Sequence, residues 1–137
     1  MKIYLCTLIS KKNIRYLNIL LNSLENLKKV NYINFHLVFV IENKILFQKN
    51  LISKIIKSFS YSIINSNKDN IPSSRNLFLK FLKFKNFDYA GFVDDDCFLN
   101  CNWLFYMNKF IKSTSCSIIG GPQKHHFKND FFKRYYD

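Results

Sequence analysis

Tyr89-Ala90-Gly91-Phe92-Val93-Asp94-Asp95-Asp96 joins an apolar run of strand length to three consecutive carboxylates. The triplet holds three of the nine acidic residues in a 137-residue chain whose formal net charge is +12. Like charges a few ångströms apart resist joint ionisation. A divalent cation removes that repulsion and takes hard oxygen ligands. Asp94 and Asp96, at i and i+2 after a strand, can face one cleft, hold a metal and neutralise a diphosphate through it. The competing reading is a solvated acidic turn that caps the next helix. A triplet placed directly after a buried strand, on so basic a chain, favours the metal site.

Similar apolar runs recur on both sides of this stretch. Residues 2–9 and 34–41 are of strand length, as are Tyr61-Ser62-Ile63-Ile64, residues 88–93 and Ser115-Cys116-Ser117-Ile118-Ile119. Near-continuous apolar runs imply strands buried on both faces, as in a parallel sheet. The segments between them have helical period. Ile14, Leu17, Leu20, Leu21, Leu24 and Leu27 form one stripe, with Asn13 as its N-cap. A second helix runs through Leu46, Leu51, Ile55 and Ile56. A third is expected to start at Ser73 or Ser74, just after Pro72, and to carry Leu77, Phe78, Phe81 and Leu82. A fourth follows Asn100 and presents Trp103, Leu104, Met107, Phe110 and Ile111. The alternation predicts an α/β fold, an open and mostly parallel sheet with helices on both faces.

Composition narrows the class. Hydrophobic residues make up 48% and aromatics 18%, too apolar for a disordered tail. The length suits one domain with a real core. No stretch reaches the roughly 18 uninterrupted apolar residues of a membrane span. Met1 to Ile9 lacks a small-residue cleavage site and reads as a strand rather than a signal peptide, so a cytoplasmic chain is expected. The positive charge is spread along the chain as 18 Lys against 3 Arg, amid abundant Asn, Ile and Phe. That bias looks like an AT-rich coding sequence, and no specific nucleic-acid partner is expected. Cys6, Cys97, Cys101 and Cys116 read as reduced, mostly buried thiols. A zinc site built from Cys97, Cys101, Cys116 and His125 would match no common ligand spacing.

Open α/β sheets bind ligands outside the carboxyl ends of their strands. Those ends fall at Cys6-Thr7, at Glu42-Asn43, in the loop Asn65–Pro72, at the aspartate triplet and at Gly120-Gly121-Pro122. Position alone leaves two readings of Glu42: an acceptor for a base or ribose, or a first-turn acid of the following helix. Arg75, at a helix start, suits bidentate phosphate binding and has a surface ion pair as its alternative. Gly120-Gly121 permits positive φ or close backbone approach, or simply makes a turn before Pro122.

Taken in order, these segments resemble the amino-terminal half of a family 2 glycosyltransferase, which has the GT-A (Rossmann-like) fold. The strand running into Thr7 looks like that family's first strand and nucleotide loop. Phe39-Val40-Ile41-Glu42-Asn43 stands where the family has a strand ending in an acid. Ile71-Pro72-Ser73-Ser74-Arg75-Asn76 looks like its "xARN" helix start, and Phe92-Val93-Asp94-Asp95-Asp96 like its DxD motif. Trp103-Leu104 and Ile118-Ile119-Gly120-Gly121-Pro122 look like the helix and the strand with its turn that follow. The resemblance covers residues 2–123. It departs in the residues after Thr7, in Glu42 where Asp is usual, and in the absence of the downstream acidic motif that supplies the base.

The resemblance implies an inverting transfer of sugar from a nucleotide-sugar donor, UDP-linked by default, to a glycan, lipid or protein acceptor. It implies nucleotide contacts from Thr7, Glu42, Arg75 and Asp94, and Mg2+ or Mn2+ on Asp94 and Asp96. Asp95 would lie near the donor sugar. Residues 1–123 would form the donor-binding part. The basic, aromatic tail 124–137 would begin a missing acceptor-binding part, and it also suits a membrane surface. Two other classes are an aspartate-nucleophile phosphatase, with Asp94 as nucleophile and Asp96 as acid, and a basic RNA- or partner-binding remnant. Against the phosphatase, Phe98 stands where that motif carries Thr or Val.

Overall fold

The computed structural model describes residues 1–10, 14–42, 46–67, 70–114 and 118–119. Strands and helices alternate: β1 Lys2–Ile9, α1 Ile14–Glu25, β2 Asn34–Glu42, α2 Leu46–Ile55, β3 Ser60–Ser66, α3 Ile71–Leu82, β4 Tyr89–Asp94 and α4 Trp103–Ser113. The four strands form one all-parallel sheet in the order β3-β2-β1-β4.

Side chains alternate across a strand, so each strand feeds two cores. On one face Ile3, Leu5 and Ile9 of β1 and Phe35, Leu37, Phe39 and Ile41 of β2 pack with α1, α2 and Leu104 of α4. Leu17, Leu20, Leu21 and Leu24 of α1 are fully buried there. Burial of a leucine side chain contributes about 1.5–3 kcal/mol, so this stripe holds α1 to the sheet. On the other face Tyr4, Cys6, Val38 and Val40 pack against Phe78 and Leu82 of α3. Helices thus flank both faces, as the alternation of apolar runs requires.

Three expectations change. The third helix starts at Ile71, ahead of the serines. Asn70 is its cap: the backbone there is extended, and Oδ1 accepts from Ser73 N at 2.8 Å. Pro72 lies in the first turn, where no intrahelical N–H is needed. Burial on both faces holds for the central strands β1 and β2 but fails for β4, where Ala90, Phe92 and Asp94 are exposed in alternation. Among the described residues β4 pairs only with β1, so it ends the described sheet. The thiols are not mostly buried: Cys6 is, Cys97 is half-buried and Cys101 is exposed.

The expected fifth strand cannot be followed: residues 115–117 lie outside the described residues, and Ile118 and Ile119 carry no strand. Asn13, Asn43, Cys116, Gly120, Gly121, Pro122, His125 and the 124–137 tail also fall outside them.

Candidate functional site

Chain order reverses between β1 and β4. β2 and β3 follow β1 on one side, and β4 is laid down on the other. The carboxyl ends of β1 and β4 therefore lie at a topological switch point, the crevice position at which sheets of this type take ligands.

The aspartate triplet forms the lip of that crevice. A turn closes it, with Cys97 N donating to Asp94 O at 3.1 Å. The turn folds the chain back, so that carboxylate oxygens of Asp94 and Asp96 and Sγ of Cys97 all lie within 4.8 Å of one another. Asp94 and Asp96 are exposed. Burial, then the charges of Asp96 and Asp94, push the Cys97 thiol above its ordinary pKa. Two of the three donors are hard carboxylates. That set fits Mg2+ or Mn2+, which keep several waters and take one or two carboxylates alongside phosphate oxygens.

Asp95 turns the other way. It is 6% exposed. Its Oδ2 accepts from Ser10 N at 2.9 Å and from Ser10 Oγ at 3.1 Å. The middle carboxylate thus ties the segment leaving β1 to the acidic turn leaving β4, across the mouth of the crevice.

The register decides which face each rim residue serves. Cys6 pairs with Phe92, and Leu8 pairs with both Val40 and Asp94. Alternation carries Val40 to Glu42 and Phe92 to Asp94 on the face that α3 covers. Glu42, half-buried, ends β2 opposite Ser66. Two strand spacings separate β2 from β4, about 10 Å. Arg75 stands in the first turns of α3, exposed, with its guanidinium 5.4 Å from the centroid of the Phe92 ring. Glu42, Arg75 and Asp94 therefore share one face of one rim. Thr7 does not share it. It pairs with Phe39 and Val93, belongs to the opposite face, and is 1% exposed.

Reasoning from residue types missed Ser10 and Phe92. Ser10 is a lone serine after a strand, and its partner lies 85 positions on. Phe92 read as one more apolar strand residue, yet it is 42% exposed beneath Arg75. Ser66 and Ser74 are also buried partners, joined at 3.1 Å between β3 and α3. Their contact fixes the start of α3, and with it Arg75, against the sheet.

A separate cavity of about 350 Å3 opens at the amino rim, lined by Lys29, Phe35, Ser58, Phe59 and Leu104 among others. It lies at the end of the sheet away from the acidic turn, and no carboxylate lines it.

No family model and no curated relative matches the sequence. Solved structures do. TarS of S. aureus, a glycosyltransferase, matches in its 1–349 form with a TM-score of 0.70 and 20% identity, over 90% of this chain and 39% of that one. A longer TarS structure matches with a TM-score of 0.70 and 21% identity, over 90% of this chain and 23% of that one. TarS 1–349 in complex with UDP matches equally, at 0.70 and 21%, over 90% and 38%. The chain thus spans less than two fifths of each. At this identity the likeness establishes architecture: the four-stranded parallel sheet and its helices have a Rossmann-like glycosyltransferase fold.

Proposed function

We propose that the chain is the donor-binding part of a nucleotide-sugar glycosyltransferase, taking a UDP-linked sugar at the β1–β4 crevice. The observation that carries this reading is the convergence of Glu42, Arg75 and Asp94 on the α3 face of the carboxyl rim, in a fold whose solved neighbour TarS has been crystallised with UDP. Glu42 would accept from the base or ribose. The acidic turn, about 10 Å across the sheet by strand spacing, would meet the diphosphate. Arg75 would supply a planar cationic fork to the phosphate oxygens. Mg2+ or Mn2+ would be held by Asp94 and Asp96. When bound, such an ion neutralises charge on a leaving diphosphate.

The finer reading is a family 2, inverting enzyme, in which an acceptor hydroxyl displaces the nucleoside diphosphate at the anomeric carbon. The acceptor, whether glycan, lipid or protein, would be engaged by elements beyond the described rim. No helix among the described residues is long and apolar enough to cross a membrane. Placement on a membrane surface is part of the proposal through the basic tail alone.

Titration calorimetry of the 137-residue chain with UDP tests the reading, with and without Mg2+ or Mn2+. Metal-enhanced UDP binding supports it. Equal, negligible heats in both conditions would reduce the triplet to a solvated turn.

A further inference from the structure

We propose that Phe92 is a positioning residue for the diphosphate: its ring is the platform that holds the Arg75 guanidinium over the β1–β4 seam. The inference rests on the nucleotide reading above and adds to it the device that aims the arginine.

Three observations carry it. The guanidinium carbon of Arg75 lies 5.4 Å from the Phe92 ring centroid, within the range of a cation–π contact. A cation–π contact uses the charge of the guanidinium and consumes none of its N–H donors. No acceptor among the described residues holds those N–H groups. Second, the ring beneath Arg75 belongs to the residue that pairs with Cys6 of β1 in the register. The cation of this exposed residue therefore stands over a ring beside the seam between β1 and β4. Third, Phe92 is itself fixed. Its ring meets Phe78 edge-to-face, centroids 5.1 Å apart at 76°, and Phe78 is fully buried in the α3 core.

The consequence follows from strand geometry. Asp94 is two residues beyond Phe92 on the same face, so a residue step of about 3.3 Å each way separates platform from acidic turn by roughly 7 Å. A diphosphate held at Asp94 and Asp96 would lie between carboxylates on one side and the N–H donors of Arg75 on the other. A flexible arginine loses side-chain entropy on binding. One held over a ring has lost part of it already, which gives an exposed aromatic ring on a strand a role.

The test compares UDP with uridine, which lacks the diphosphate, on the 137-residue chain in Mg2+, by calorimetry or NMR titration. Circular dichroism and thermal unfolding report the fold of each variant. Phe92→Leu keeps an apolar side chain but removes the π face. It should weaken UDP about tenfold, the equivalent of one charge-assisted contact, and leave uridine affinity unchanged. Phe92→Tyr should retain UDP affinity. Arg75→Ala, at an exposed position that the fold does not need, should match the loss seen in Phe92→Leu, and the double variant should lose no more than either alone. UDP binding unchanged in Phe92→Leu, or equal losses for UDP and uridine, would overturn the platform role while leaving the nucleotide site standing. Should Phe92→Leu fail to fold, unchanged UDP affinity in Arg75→Ala overturns it instead. Wild-type chain that binds neither ligand overturns both readings together.

Discussion

Asp95 Oδ2 receives both the backbone N–H and the hydroxyl of Ser10, at 2.9 and 3.1 Å. Removing the carboxylate in Asp95→Ala leaves a Ser10 N–H without its acceptor. A fully buried donor so orphaned costs about 1–3 kcal/mol, and this half-buried one costs toward the lower end. Urea unfolding should show that loss, and Ser10→Ala, which keeps the backbone donor, should show less. As an anchor of the β1 loop, Asp95 should also leave the affinity ratio of UDP to UDP-sugar unaltered. A ratio that rises in Asp95→Ala would restore the donor-sugar contact expected from the DxD resemblance.

Asp96→Ala should abolish the metal enhancement of UDP binding while leaving the unfolding midpoint near that of wild type. Asp96 is exposed, so its removal orphans little. It is also one of the two carboxylates that fit a hard cation, and such ions bind through few protein ligands. Calorimetry across a Mn2+ series checks both halves of the statement.

His36 should make stability fall on acidification. Its ring bridges Ser60 Oγ at 2.8 Å and Ser62 Oγ at 2.9 Å and lies 5.0 Å from the Tyr4 ring. Burial, followed by the charges of Lys85 and Lys2, depresses its pKa below the ordinary value. The unfolded chain therefore takes up a proton near pH 6.5 that the folded chain refuses. The stabilising contribution is complete above that pH, is lost as pH falls from there toward the folded pKa, and levels off below it. Urea midpoints at about pH 7.5 and about pH 5.5 should differ, and His36→Gln should shrink the difference.

The thiols should react in the order of their burial. Burial pushes Cys6 up to about 12, against a smaller opposite pull from Arg75. Thiolate is the nucleophile, so Cys6 should resist iodoacetamide in the folded chain while exposed Cys101 is alkylated. Peptide mass spectrometry with and without urea measures this directly.

UDP binding by the 137-residue chain should come with little sugar transfer. Deprotonating an acceptor hydroxyl takes a base within hydrogen-bond reach. Among the described residues, the acids outside the triplet are Glu25, Glu42 and Asp88. Glu25 accepts from Lys57 N and Ser58 N, and Asp88 from Lys2 N at the opposite rim. Glu42 alone stands at the carboxyl rim, where the nucleoside is proposed to lie. Robust transfer to mixed acceptors would assign the base to Glu42 or to an acid outside the described residues.

Local pattern carried most of the architecture. β1 and β2 are near-continuous apolar runs because both faces of each are covered, and α1 shows its stripe because one side faces the sheet. β4 misled for a nonlocal reason. Tyr89 to Val93 is as apolar as the central strands, but its place at the end of the described sheet depends on neighbours far away in sequence, and half its side chains meet solvent. The start of α3 was legible: Asn70 followed by Pro72 is a cap-and-proline signature, while Ser73 and Ser74 drew attention because serine also caps. The acidic turn was readable from composition, since carboxylates are rare here. The roles of Ser10, Phe92 and the inward turn of Asp95 were not. Each depends on a partner at least 17 positions away, as Arg75 is from Phe92.

β1 is the first strand in the sequence and an inner strand of the sheet, and its second flank is β4, with Lys2 and Tyr89 at the two starts. On a ribosome, β1 to β3 can associate while β4 is still unmade, leaving one side of β1 bare. Long-range parallel pairing of this kind is slow and exposes unpaired strand edges meanwhile. The crevice is bounded by that late-closing seam. Ligand competence is therefore a readout of completed synthesis and closure: a chain in which β4 is unmade or undocked keeps helices on both faces of β1 to β3 and has no crevice. Nucleotide added during refolding should accordingly act late, trapping the closed sheet rather than hastening the first collapse.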